Sequence, residues 1–173
     1  MKKLMVVLVA VMSMSTMMAQ TKVAHVNSQT LLDSMPSRQS ALKQLKEFEA
    51  AGVKELQEME ADLQEAYKKY MANQAELSPV MKQYEEEKIQ KKQMAMQQRE
   101  QELQQQIGNL SNDLNEPILK RVQEAVKIVA ERKKIGYVID ESTTLYFSGG
   151  MDITNDVMKE LIRLDQEAMK GQK

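Results

Sequence analysis

From Arg38 to Lys133 the sequence is built almost entirely from Glu, Gln, Lys, Met, Ala and Leu, and its apolar residues recur at helical spacing. Such a stretch can form long helices carrying a narrow apolar stripe, and little else. Leu42, Leu45, Leu56, Met59, Leu63, Ala66 and Tyr70 share one stripe at heptad spacing, while Glu49 and Gly52 also occupy seam positions and Phe48 and Ala51 sit one residue off. The segment "NQAELSPV" breaks this helix at Ser78-Pro79, and Pro79 suits the first turn of a second one. Beyond it, Ile89, Met96, Leu103 and Leu110 repeat every seventh residue, and Ile107 and Leu114 supply the alternate seam position. Gln93 and Glu100 weaken the seam nearer the turn. The stripe widens through Ile118, Val122, Ala125, Val126 and Val129, as expected of a segment buried in a body.

This pattern predicts an antiparallel helical hairpin, with one arm from Arg38 to near Ala75 and the other from Val80 to near Lys133. At about 1.5 Å per residue the arms would reach roughly 60–80 Å. Gly108 weakens the second arm by about 1 kcal/mol, and Pro117 cannot donate to the carbonyl of Asp113. A bend where arm meets body, simple curvature and a break all fit these two residues.

The flanks read differently. "KVAHV" (Lys22–Val26) is a short strand with Val23 and His25 on one face and Ala24 and Val26 on the other. Asn27 or Ser28 can cap a short helix through Leu31-Leu32, and Ser34-Met35-Pro36 is a second start signal. In "GYVIDESTTLYFSGG", Gly136 is expected to end the long helix, Tyr137–Asp140 to form a strand, Glu141-Ser142 to turn, and Thr143–Phe147 to return as a β-hairpin. "MDITNDVMKEL" then opens a last helix, with Thr154 as N-cap, Asp156 in the first turn and Ile153 stapled onto Met158.

The predicted class is therefore α+β, mostly α, with a helical hairpin (38–133) inserted into a small β body (20–37 and 134–173). Three short strands need an apolar partner. The arms are polar, and the chain has two Phe and no Trp. Several copies sharing one core would solve this, which predicts an obligate oligomer. Its body residues would be Val23, Val26, Tyr137, Val138, Ile139, Leu145, Tyr146, Phe147, Ile153 and Val157.

Residues 1–19 have the layout of a secretory signal cleaved near Ala19: Lys2 and Lys3 precede an apolar run from Leu4 to Met12. Without Cys the leader cannot be of the lipoprotein type, and no disulfide is available. Loss of Lys2 and Lys3 leaves 24 − 2 = 22 basic against 25 acidic residues, a net charge of −3. A nucleic-acid-binding domain would be basic.

No catalytic constellation is visible. His25 is the one histidine, with no Cys or second His to complete a metal site or nucleophilic pair. "FSGGMD" lacks the spacing and the Lys of a phosphate loop, and Glu85-Glu86-Glu87 fits a solvated helix face. Neither an enzyme nor a cofactor is expected. Methionine is more informative. Met71, Met81 and Met94, with Tyr67, Tyr70 and Tyr84, gather toward the distal arms, whereas Met59 and Met96 belong to the seam. Flexible thioethers suit a surface that accepts many sequences, so those six are the candidate residues for binding a polypeptide partner.

"KVAHVNSQTLLDSMP" and "VQEAVKIVAERKKIGYVIDESTTLYFSGGMDITNDVMKEL" resemble the Skp (OmpH) family of periplasmic chaperones. Val126–Gly136 is similar to the family's helix end, Tyr137–Asp140 to its following strand, and Asp152-Ile153-Thr154 to its "DIT" before the last helix. The resemblance implies a jellyfish-like homotrimer, with a barrel-like body and three hairpins around a cavity. It also implies an ATP-independent holdase that keeps unfolded outer-membrane β-barrel proteins from aggregating before membrane insertion. One departure is charge. Family members are often strongly basic, whereas here Tyr67–Lys92 holds six Lys against four Glu. Electrostatic capture should be weaker, which argues against lipopolysaccharide or membrane contact. The competing reading is an envelope coiled-coil adaptor with one partner. A rigid spacer of that kind needs an unbroken seam, which Gly52, Gln93, Glu100, Gly108 and Pro117 interrupt.

Overall fold

The computed structural model describes residues 21–171; the leader expected over residues 1–19 lies outside the described residues. The chain runs β1 (Lys22–Val26), α1 (Ser28–Asp33), α2 (Pro36–Asn73), α3 (Pro79–Lys133), β2 (Ile135–Asp140), a 3₁₀ turn (Glu141–Thr143), β3 (Met151–Asp152) and α4 (Thr154–Gly171). The described residues fall into two compact units, one of residues 21–34 and 121–171, the other of residues 35–120.

The second unit is the helical hairpin. Pro36 and Pro79 each stand in the first turn of a helix, where the missing N–H costs nothing. Between the helices, the Glu76 N–H donates to the Asn73 carbonyl at 3.0 Å, and Ser78 Oγ accepts from the Met81 N–H at 3.4 Å. The arms run antiparallel: Glu55 pairs with Arg99, Asp62 with Lys92, and the Tyr70 hydroxyl donates to Glu86, so later residues of α2 meet earlier residues of α3. Leu45, Leu56, Met59, Leu63 and Ala66 are half-buried on the seam, as are Ile89, Met96, Ile107, Leu110 and Leu114; Tyr70 and Leu103 are buried. Leu42 departs from the expected stripe. It is 54% exposed, and Ala41, four residues before Leu45, is buried in its place. A 3.6-residue helix drifts from a strict seven-residue repeat, and Ala41 marks that drift. Gly52 is not a gap in the seam; it is buried and receives the Leu103 side chain. α3 continues as one helix past Gly108 and Pro117, which rules out the break.

In the first unit, β1 is the central strand of a sheet ordered β2-β1-β3, and both neighbours are parallel to it. The expected β-hairpin does not form. Thr143–Phe147 is not a strand, and the third strand is Met151–Asp152. Local polar bonds explain this. The Ser142 N–H and hydroxyl donate to the Asp140 carboxylate at 3.1 and 2.8 Å, and the Thr143 and Thr144 hydroxyls donate to its carbonyl at 3.1 and 2.9 Å. Such side-chain bonds compete with a ladder and turn the chain instead. The end of α3 also differs from expectation. Lys134 takes the left-handed conformation at φ 54°, and Gly136 lies within β2. Asn27 caps α1, its side chain accepting from the Thr30 N–H at 2.9 Å. At α4 the cap comes from Asp152, whose Oδ1 accepts from the Thr154 N–H at 2.8 Å; Thr154 itself is the first helical residue.

Ala24, Val26, Leu31, Ala125, Val129, Ile153, Val157 and Leu161 are each at most 5% exposed. This core corrects the expectation that one chain offers its strands nothing apolar to pack on. Val26, Ile153 and Val157, expected among the shared body residues, are buried within their own chain. Ion pairs fasten the end of α3 to α4: Arg121 to Asp165 at 3.2 Å, Arg132 to Glu160 at 2.8 Å and Lys133 to Asp156 at 2.6 Å.

Candidate functional site

Two surfaces expose apolar side chains, one on each unit. On the hairpin, Tyr67, Met71, Met81, Tyr84 and Met94 are between 44% and 58% exposed. All five lie on the turn-side halves of the arms, off the stripes that α2 and α3 spend on each other; Val80 beside the turn and Leu42, Val53 and Leu119 farther along are exposed as well. Tyr70 is placed differently. It is 7% exposed, its hydroxyl donates to Glu86 and accepts from Gln74 Nε2 at 3.1 Å, and its ring belongs to the seam. The hydrogen bond to Glu86, followed by desolvation, holds the Tyr70 phenol above its ordinary pKa, so it stays neutral.

The exposed ring of Tyr67 borders a shallow groove of about 400 Å³ with Leu63, Gln64, Lys68, Ile89 and Gln93. Tyr84 borders a second, of about 370 Å³, with Lys88, Lys91, Lys92 and Ala95. Both are open depressions in which an aromatic or aliphatic face lies beside lysine stems. They can cover a partner's apolar side chain without enclosing it.

On the other unit, the period of two along β1 and β2 separates the sheet faces. Ala24 and Val26 point into the core. Val23, opposite Tyr137, and His25, opposite Ile139, point the other way. Val23, Tyr137 and Ile139 are 44%, 66% and 43% exposed, and Val138 is half-buried on the core side. The segment after β2 adds Leu145, Tyr146 and Phe147, with Leu145 fully exposed. The Phe147 ring stands 4.8 Å from the His25 ring. Val23, Tyr137 and Ile139 are therefore exposed on this face next to Leu145 and Tyr146, while the Phe147 ring and the Gly149-Gly150 loop cover His25.

A polar helical hairpin inserted between parallel strands, with adaptable apolar residues near its turn, defines a binding protein of the helical-hairpin class. Residues 22–161 match the family model described as outer membrane protein (OmpH-like), and the chain belongs to that family. It is 30% identical over 151 residues to the chaperone protein Skp of Pectobacterium atrosepticum, covering 85% of this chain and 89% of that one. Its identity to the Skp chaperone of Escherichia coli K12 is 29% over 148 residues, covering 83% and 88%. A solved structure of an OmpH-like outer membrane chaperone from Caulobacter crescentus shares the fold at a TM-score of 0.73 and 18% identity, over 82% of this chain and 84% of that chain. Among the described residues, no helix is long and apolar enough to cross a membrane.

Proposed function

We propose that this protein is an ATP-independent holdase of the periplasm that binds unfolded outer membrane proteins and keeps them from aggregating. The observation that carries this reading is the half-exposed set Tyr67, Met71, Met81, Tyr84 and Met94, gathered on the turn-side halves of largely polar arms. Each can shield a client's apolar segment weakly, and many weak contacts together give affinity while each exchanges quickly. A deep cleft would hold its client too long. The relatives support the reading, since they are Skp chaperones matched over most of their length.

The exposed sheet face supports a second element of the proposal. Val23, Tyr137, Ile139, Leu145, Tyr146 and Phe147 form the contact between copies of the chain in a homo-oligomer, for which the family resemblance implies a trimer. With 22 basic against 25 acidic residues once the expected leader is removed, electrostatic capture of lipopolysaccharide or anionic membranes is disfavoured.

The test is dilution of a urea-unfolded outer-membrane barrel protein into buffer with the purified chain and no nucleotide. Light scattering is expected to stay low at equimolar chain. A variant with Tyr67, Met71, Met81, Tyr84 and Met94 all changed to Gln, and unaltered helical circular dichroism, is expected to lose most of the protection. Scattering that rises as fast as in buffer alone would overturn the chaperone reading.

A further inference from the structure

We propose that His25, Glu141 and Asp152 form a binding site for one divalent transition-metal ion of zinc-like chemistry. The three residues are far apart in sequence, and the sheet brings them together. Asp152 of β3 is the register partner of His25 on β1, and Glu141 directly follows Asp140, the last residue of β2. The ligand atoms of all three lie within 4.8 Å of one another. His25 Nδ1 is 2.7 Å from Glu141 Oε1. A tetrahedral ion with bonds of about 2.0–2.2 Å places its ligands roughly 3.3–3.6 Å apart. The spacing therefore needs side-chain adjustment only, with the His25–Glu141 contact opening slightly.

Charge favours a dication. A neutral imidazole and two carboxylates carry a formal charge of −2, which one divalent ion neutralises. The mixture of one nitrogen and two carboxylate oxygens suits zinc and its neighbours better than calcium or magnesium, which take oxygen alone.

The surroundings orient the donors. Asn27 Nδ2 donates to Glu141 Oε2 at 3.1 Å, leaving Oε1 toward His25. The Thr154 N–H donates to Asp152 Oδ1 at 2.8 Å, and the Asn27 N–H donates to the Thr154 hydroxyl oxygen at 3.0 Å. Outer partners of this kind fix metal ligands in place. Gly149 and Gly150, at φ +88° and +98°, carry the loop over His25, where a β-carbon on Gly150 would stand 3.3 Å from the ring. A cavity of about 30 Å³ opens there, lined by His25 and Glu141 together with Val23, Ile139, Thr144 and Phe147. The donors cluster at the carboxyl ends of parallel strands, where open parallel sheets place ligands.

The lone histidine makes the test clean. Metal-free full chain is titrated with zinc chloride by calorimetry, and the ¹⁵N spectrum of the His25 imidazole is followed in parallel. We expect saturation at one ion per chain, with the Nδ1 resonance shifting and Nε2 remaining protonated. His25→Gln is expected to abolish saturable binding. Glu141→Gln and Asp152→Asn keep acceptors for Asn27 and Thr154, and each is expected to lower zinc affinity by at least the roughly 10–100-fold seen for outer-shell changes. An unperturbed imidazole at saturating zinc, or equal affinity in His25→Gln, overturns the proposal. The imidazole spectrum of the unmodified chain decides the question even if a variant fails to fold.

Discussion

The Leu103 side chain fills the space beside Gly52 so closely that a β-carbon built on Gly52 would stand 2.3 Å from Cδ1, 2.6 Å from Cδ2 and 3.0 Å from Cγ. Both branches and their shared carbon are involved, so rotation about the last torsion cannot clear the contact. Gly52→Ala would gain about 1 kcal/mol of helix propensity and lose roughly 1–3 kcal/mol to overpacking, a net destabilisation of the hairpin. Leu103→Ala removes a side chain 4% exposed and should cost about 2 kcal/mol or more. In the Leu103→Ala background the obstruction is gone, and Gly52→Ala should become stabilising by up to about 1 kcal/mol. Thermal unfolding of the four chains checks this reversal of sign. Additive effects would mean that Gly52 tolerates a side chain and the two residues act separately.

Arg121 and Asp165 present a different kind of coupling. Asp165 is fully buried, and Arg121 Nε lies 3.2 Å from its Oδ1. Removing one member of a buried pair costs about 3–5 kcal/mol where the remaining charge has no other partner, and less where it has one. Asp165→Leu should therefore lower the urea midpoint sharply. The double change Arg121→Met with Asp165→Leu should recover much of the loss, because paired apolar replacements are often tolerated. A double variant as unstable as the single one would show that the pair contributes something other than mutual charge compensation.

Acid should act through the carboxylates of α4. The Arg132 hydrogen bond, then that of Arg163, holds the Glu160 pKa below its ordinary 4.5. Lys133 lowers that of Asp156 through a hydrogen bond at 2.6 Å. A carboxylate with a lowered folded pKa contributes stability that is fully present above its unfolded pKa and lost as the pH falls through the folded value. Stability should change little between about pH 7 and about pH 5, then decline below about pH 4. Glu160→Gln should be less stable than the parent at neutral pH and approach it in acid. Urea titrations across that range check it; a constant difference between the two chains would rule out Glu160 as a source of the decline.

Much of the architecture is legible in short-range pattern. Heptad spacing gives the two arms, Ser78-Pro79 gives their turn, and Asn27 gives the cap of α1, because each of these signals acts over a few residues. The strands are another matter. Tyr137–Asp140 and Thr143–Phe147 look alike as short apolar segments, and strand pairing depends on which partner arrives. The run Asp140-Glu141-Ser142-Thr143-Thr144 did carry a usable signal, since five polar side chains in succession favour a local turn over a ladder. The cluster at His25 carried none. Its partners come from 116 residues away at Glu141 and from a third strand, and only the parallel register unites them. Tyr70 sits among exposed aromatic and Met residues in sequence, yet its seam position buries it, which the heptad count already indicated.

The exposed segment after β2 bears on assembly. Leu145 is fully exposed, Tyr146 81% and Phe147 49%, beside the exposed face of β1 and β2. None of the three belongs to the chain's buried core, so polar substitution here should leave the helices and the sheet intact, Phe147→Ser removing one ring contact with His25. Burying a Leu or Phe side chain contributes about 1.5–3 kcal/mol. Losing both in Leu145→Ser with Phe147→Ser should then weaken association by roughly a hundredfold or more. Light-scattering mass measured over a dilution series is expected to give a multiple of the single-chain mass for the parent and a single-chain mass for the variant, with equal helical circular dichroism. A parent that stays monomeric at every concentration would remove the oligomer from the proposal while leaving the client-binding arms to be judged by their own assay.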